Sequence, residues 1–116
     1  MKIISFAWTT PQLLDGSKTC TRRHWNDRYA NTFRVGDRVK AYDKNPRAKG
    51  KWVATIEITA VYKERLDRMP EADVDAEGGR WINAEEFAAM MCEAYGIAPS
   101  AEVWVIRFRV LSQEVP

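Results

Sequence analysis

No stretch of the chain approaches the roughly 20 consecutive apolar residues that a membrane-spanning helix needs, so a bilayer-spanning protein is not expected. Histidine is nearly absent. With His24 alone, neither a histidine-based metal site nor a conventional serine–histidine–aspartate triad can be assembled within one chain. Cysteine is scarce as well: Cys20 and Cys92 are too few for a four-thiolate metal site. Nothing marks the chain for export, which argues against a disulfide between them. The opening run Met1–Ala7 carries one charge and a short apolar stretch, then reaches Trp8 and Pro11 without a small-residue cleavage pattern. It does not read as a signal peptide, and a cytoplasmic location is expected. Repeats, linkers and low-complexity tracts are missing too, and no metal or cofactor is expected.

What remains is a chain of 116 residues with 46% hydrophobic and 29% charged residues, values suited to one globular domain over 1–116. Its net charge is only +2, yet the charge is unevenly spread. Residues 1–68 carry 15 Lys/Arg against 7 Asp/Glu, and residues 69–116 carry 3 against 9, giving +8 and −6. Such an asymmetry fits a cationic face for phosphates, and it equally fits two halves that attract each other within the fold.

Ile3–Ala7 has the apolar, β-branched and aromatic pattern of a buried strand. Thr9 or Thr10 can cap a short helix over Pro11–Asp15 that Gly16 ends. Lys18–Arg23 reads as a strand, Trp25–Asn31 as a short helix, and Val35-Gly36-Asp37 as a turn into a strand through Tyr42. After a polar loop, Trp52–Tyr62 alternates as a long strand. Asn83 can cap a helix over Ala84–Tyr95, stopped at Gly96. Its Phe87, Met90, Met91 and Ala94 recur at helical spacing, as a core stripe does. Val103–Leu111 closes the chain as a strand, with Arg107 and Arg109 on one face and Ile106, Phe108 and Val110 on the other. The expected fold is α+β: a small, curved, mostly antiparallel sheet or open barrel of five to six strands with short helices around it.

Three polar clusters can carry chemistry. In Lys18-Thr19-Cys20-Thr21-Arg22-Arg23, strand alternation puts Lys18, Cys20 and Arg22 on one face and Thr19, Thr21 and Arg23 on the other. Lys supplies a charge for phosphate, or a base when burial lowers its pKa, and Thr becomes a nucleophile beside such a base. Arg22 and Arg23 supply planar forks for phosphate or for base stacking, and Trp25 supplies a flat surface or a core residue. The loop Asp43–Lys51 presents Lys44, Arg47, Lys49 and Lys51, a set suited to backbone contacts with nucleic acid or simply to an exposed hairpin loop. Asp73–Trp81 holds three carboxylates and the pair Gly78-Gly79, but its spacing is not that of a calcium loop, and a turn leading into the next helix explains most of it.

Taken in order, these segments resemble ASCH domains, a branch of the PUA-like superfamily. Leu13-Leu14-Asp15-Gly16-Ser17-Lys18-Thr19-Cys20-Thr21-Arg22-Arg23 is similar to the family's Gly-x-Lys-Thr-x-Thr-x-Arg opening, and Phe33-Arg34-Val35-Gly36-Asp37-Arg38-Val39 to its Gly-Asp turn. Glu77-Gly78-Gly79, the Glu85-Glu86-Phe87 helix and the strand through Trp104–Phe108 resemble its closing half. The resemblance implies a PUA-like β-barrel with a cleft for RNA or a nucleotide. One branch resembles small amidohydrolases that deacetylate acetylcytidine, which implies Lys18 as base, Thr21 as nucleophile and Glu77 as proton shuttle. Another resembles single-strand ribonucleases, with Lys18, Tyr42, Lys44 and Lys51 as candidates.

The leading expectation is therefore an RNA- or nucleotide-binding domain with a basic cleft around Lys18, Thr21, Arg22, Arg23 and Glu77, joined by Trp25, Tyr42, Lys44, Arg47 and Lys51. A hydrolase of N-acetylated cytidine-type nucleosides is the alternative. A single-strand ribonuclease, or a protein-interaction domain whose two charge halves are purely structural, stands behind it. The expected partner is RNA or a modified nucleoside or nucleotide.

Overall fold

A computed structural model describes residues 1–114. Five strands form one sheet: β1 (Ile3–Ser5), β2 (Cys20–Arg23), β3 (Arg38–Tyr42), β4 (Trp52–Arg65) and β5 (Glu102–Gln113). Their order is β1-β3-β4-β5-β2, and every neighbouring pair is antiparallel except β1 with β3. Four short helices fill the connections: α1 (Thr10–Asp15), α2 (Asp27–Ala30), α3 (Asp73–Ala76) and α4 (Ala84–Tyr95). Among these, none is long and apolar enough to cross a membrane.

The expected barrel does not close. β1 and β2 are the two edges of the sheet, and with three and four residues they are too short to ladder across the gap. A side chain spans it instead: Arg23 Nη2 of β2 donates to the Ser5 carbonyl of β1 at 2.7 Å. The sheet is thus an open, strongly curled one with a laced seam.

Local chemistry accounts for most element boundaries. Asn83 accepts the Glu86 N–H at 2.8 Å and caps α4, which ends at Gly96 in the left-handed conformation. Asn26 caps α2 in the same way through the Tyr29 N–H. The threonines before Pro11 do something other than cap α1. Thr9 and Thr10 hydroxyls donate backwards to the carbonyls of Phe6 and Ala7, closing a 3-10 turn over Ala7–Thr9. Both long strands overrun their expected ends because they pair with each other along nearly their full length. A helix also replaces the expected turn at Asp73–Ala76.

Two apolar clusters hold these elements. The first packs Ile4, Phe6, Leu13 and Phe33 against Ile56, Ile58, Ile106 and Phe108 of the sheet. The second joins Leu66, Val74, Phe87 and Met91 to Val103. Val103 and Val105 lie on the strand face assigned to Arg107 and Arg109, yet both are buried. At its start, then, β5 is covered on both sides.

Candidate functional site

The seam between the sheet edges is also the wall of a cavity of about 260 Å³. Ser5, Phe6, Ala7 and Trp8 line it from the β1 side, Thr21, Arg22 and Arg23 from β2, and Lys18 and Glu77 at its base. Helix α4 closes it with Phe87, Met90, Met91, Ala94 and Tyr95, so the expected core stripe is at the same time a cavity wall.

Lys18 stands just before β2, where it is almost wholly buried at 3% exposure. Its Nζ donates to Glu77 twice, to the carbonyl at 2.9 Å and to Oε1 at 3.0 Å. Glu77 follows α3 directly and is turned into the site by a backbone that then runs through Gly78 and Gly79 at φ of 119° and 68°. Two successive left-handed residues are readily adopted only by glycine, which fixes this pair to the turn. Thr21, also buried, accepts the Arg23 Nε–H at 2.9 Å through its hydroxyl oxygen, leaving the hydroxyl hydrogen free to be donated elsewhere.

Behind this set lies an ion network. The Arg22 side chain has no exposure and spends its guanidinium on three carboxylates: Glu77 Oε2 at 3.0 Å, Asp73 Oδ2 at 2.5 Å and Glu64 Oε1 at 2.8 Å. Arg107 adds a second cation on Asp73 Oδ2 at 2.7 Å and also donates to the Tyr62 hydroxyl. Three carboxylates therefore meet on a guanidinium. Among the described residues no three His, Cys, Asp or Glu side chains gather as metal ligands would.

The electrostatics follow from this layout. Burial pushes the Lys18 amine below its ordinary value, and its bond to Glu77 offsets only part of that. Burial also opposes the charge on Arg22, but its bonds to Asp73 and Glu64 and the field of Glu77 outweigh it and raise its pKa. Asp73 feels the same contest: burial pushes it up, while Arg107 and Arg22 pull it below the usual carboxylate range. Cys20 lies within 3.7 Å of Glu77 Oε2, and burial together with that carboxylate pushes its thiol up to about 12.

Of the residues expected at a site, Lys18, Thr21, Arg22, Arg23 and Glu77 share the cavity. Arg22 lines it, but its fork is already occupied by three carboxylates. Trp25 stacks on Phe33 at 4.7 Å and packs against the first apolar cluster. Tyr42 ends β3, and Lys44, Arg47 and Lys51 lie on the exposed loop beyond it, none of them in the cavity wall. Sequence reasoning did not single out Trp8, Tyr95 or Glu64, and it raised Asp73 only as one of three carboxylates in a turn. An aromatic next to a positive-φ residue would have been the signal for Trp8, but only coordinates reveal that backbone.

No family model and no curated protein sequence matches the chain. Solved structures do resemble it. One is a DUF984 protein from Enterococcus faecalis V583, with a TM-score of 0.72 and 18% identity, covering 95% of this chain and 74% of that one. A second is an ASCH domain from Lactobacillus crispatus JV V101, with a TM-score of 0.66 and 16% identity over 97% and 81% of the two chains. A third is ASCH from Zymomonas mobilis, with a TM-score of 0.62 and 11% identity over 96% and 68%. At these identities the likeness establishes the fold.

Proposed function

On the premise of an ASCH-domain fold, we propose that this protein hydrolyses the amide of a small N-acylated nucleoside of the acetylcytidine type. The observation that carries the reading is the Lys18–Glu77 contact of 3.0 Å at the base of a cavity that also holds Thr21. Three roles implied by the sequence resemblance thus fall on side chains in one enclosure. The size supports a single base as the ligand: about 260 Å³ lies just under the roughly 300–1,000 Å³ of ordinary ligand pockets.

The chemistry runs as follows. A neutral Lys18 amine keeps both bonds to Glu77 with its two hydrogens and retains its lone pair. That lone pair takes the Thr21 proton as Oγ1 attacks the acyl carbonyl. The C–N bond breaks, the exocyclic amine receives a proton through Lys18 and Glu77, and water then releases the acid from the acyl-threonine. Arg23 holds the Thr21 oxygen from the side throughout. The net change is amide plus water to amine plus carboxylic acid.

The test is turnover of acetylcytidine by the purified protein, followed by chromatography. Cytidine should appear with the wild type and fall at least about 10²-fold with Lys18→Ala, the loss expected for a general base. No cytidine from the wild type overturns the reading.

A second reading, RNA binding without turnover, is favoured by the exposed cations Lys44, Arg47, Lys49 and Lys51 outside the cavity. It expects RNA affinity that falls steeply with salt, and a shallower slope when these four are changed to Gln. Salt-independent binding rejects it.

A further inference from the structure

At the mouth of the cavity stands Trp8, a tryptophan the fold does not use. It is 53% exposed and belongs to neither apolar cluster. Its neighbour Ala7 sits at φ 48°, a left-handed conformation that an alanine rarely adopts and that persists only where the surroundings impose it. The indole nonetheless has company. The Arg80 guanidinium lies 4.5 Å from its ring centre and donates Nη1 to the Trp8 carbonyl at 3.1 Å. Trp81 meets it edge-to-face at 5.6 Å and is itself anchored on Phe87 at 4.6 Å. A half-exposed aromatic ring, steadied by an anchored neighbour and carrying a cation, is what a base and its phosphate need side by side.

We propose that Trp8, Arg80 and Trp81 form a second subsite that takes the nucleotide next to the one in the cavity, so that the ligand is single-stranded RNA carrying the acylated base. This rests on the nucleoside reading above for the occupant of the cavity. The cavity, at about 260 Å³, is of the size of one small ligand, and the half-exposed Trp8 in its wall is where a flanking nucleotide can lie. There the flanking base stacks on the Trp8 indole, and the Arg80 guanidinium meets the phosphate between the two nucleotides. Trp81 faces both the cavity and Trp8 and therefore links the two subsites. No bond is made or broken here; the subsite selects a polymer over a free nucleoside.

The experiment compares binding of a five-residue single-stranded RNA, with acetylcytidine at its centre, against acetylcytidine alone. Fluorescence anisotropy reads the former and calorimetry the latter. Wild type should prefer the RNA. Trp8→Ala should cut that preference about 5- to 150-fold, the span that stacking of one base converts to, and Trp8→Phe should restore most of it. Arg80→Gln should make the slope of log affinity against log salt shallower by about 0.7, the loss of one phosphate contact on a single strand. Equal affinity for RNA and nucleoside in the wild type overturns the proposal, as does a preference that survives Trp8→Ala. A Trp8-dependent preference without turnover supports this subsite while rejecting the amidohydrolase reading, so the two fail separately.

Discussion

Arg23 on one sheet edge donates to the backbone carbonyl of Ser5 on the other, at 2.7 Å. The same guanidinium holds the Thr21 hydroxyl oxygen at 2.9 Å, and it lies 5.5 Å from the centre of the Phe6 ring. One side chain therefore does the work of a missing strand ladder and positions a proposed nucleophile. Closing the sheet with backbone bonds would remove the cavity; closing it with a guanidinium keeps it open.

Changing Arg23 to Lys removes the planar fork and should break at least one of its two bonds. Bonds to a charged donor contribute about 1.5–3 kcal/mol each, so urea unfolding should show a lower midpoint with an unchanged m-value. A variant as stable as wild type would mean that the seam is held by packing alone.

The pH profile of turnover reports on Lys18. Burial depresses its pKa below the ordinary 10.5, and the base is active when neutral. The log of kcat/KM should rise with pH and level off below 10.5, since the enzyme gains its working form as pH climbs through the depressed value. A rise that continues to 10.5 would leave Lys18 unperturbed and reject its role as the base.

Asp73 is the hinge of the ion network, accepting from Arg22 and Arg107 on one oxygen. Asp73→Asn leaves the enclosed Arg22 with two of its three carboxylates and should cost about 1.5–3 kcal/mol, the contribution of a bond between charged groups. The sign with pH is also fixed. Because its folded pKa is below the ordinary 3.8, its contribution is complete above 3.8 and disappears as pH falls through the lower folded value. Thermal melts across the acid range should be less pH-dependent in the variant; parallel curves for the two proteins would refute the linkage.

Cys20 should behave as a silent thiol. Fully buried and pushed up to about 12, it should react with a disulfide reagent only on unfolding, whereas the partly exposed Cys92 reacts in the native protein. Between 9.0 and about 12 the folded state holds the Cys20 proton that the unfolded state has released, so stability falls as pH rises through that window. Cys20→Ala should flatten this alkaline slope. Rapid native modification of both thiols would contradict the burial.

Much of this molecule is readable along the chain, because short-range rules act there. Asn83 and Gly96 mark α4, and alternation correctly puts Cys20 and Arg22 on the face opposite Thr21 and Arg23. What the chain does not display is who meets whom. Counting cations suggested that Arg22 was free for phosphate, but Glu64, Asp73 and Glu77 reach it from 42 to 55 residues away. Trp8 and Arg80 are 72 residues apart, and no periodicity links them. The barrel expectation failed on length, since edge strands of three and four residues leave the seam to side chains.

The enclosed ion network joins opposite ends of the chain's charge map. Lys18 and Arg22 come from the cationic half, Asp73 and Glu77 from the anionic half, and β2 pairs only with β5. Cut between the halves, Lys18 would lose its carboxylate and Arg22 would keep only Glu64 of its three, which leaves buried charge undercompensated. The two pieces should accordingly stay unfolded apart and assemble when mixed. As the chain is made, its early cations must wait in solvent until the late carboxylates arrive.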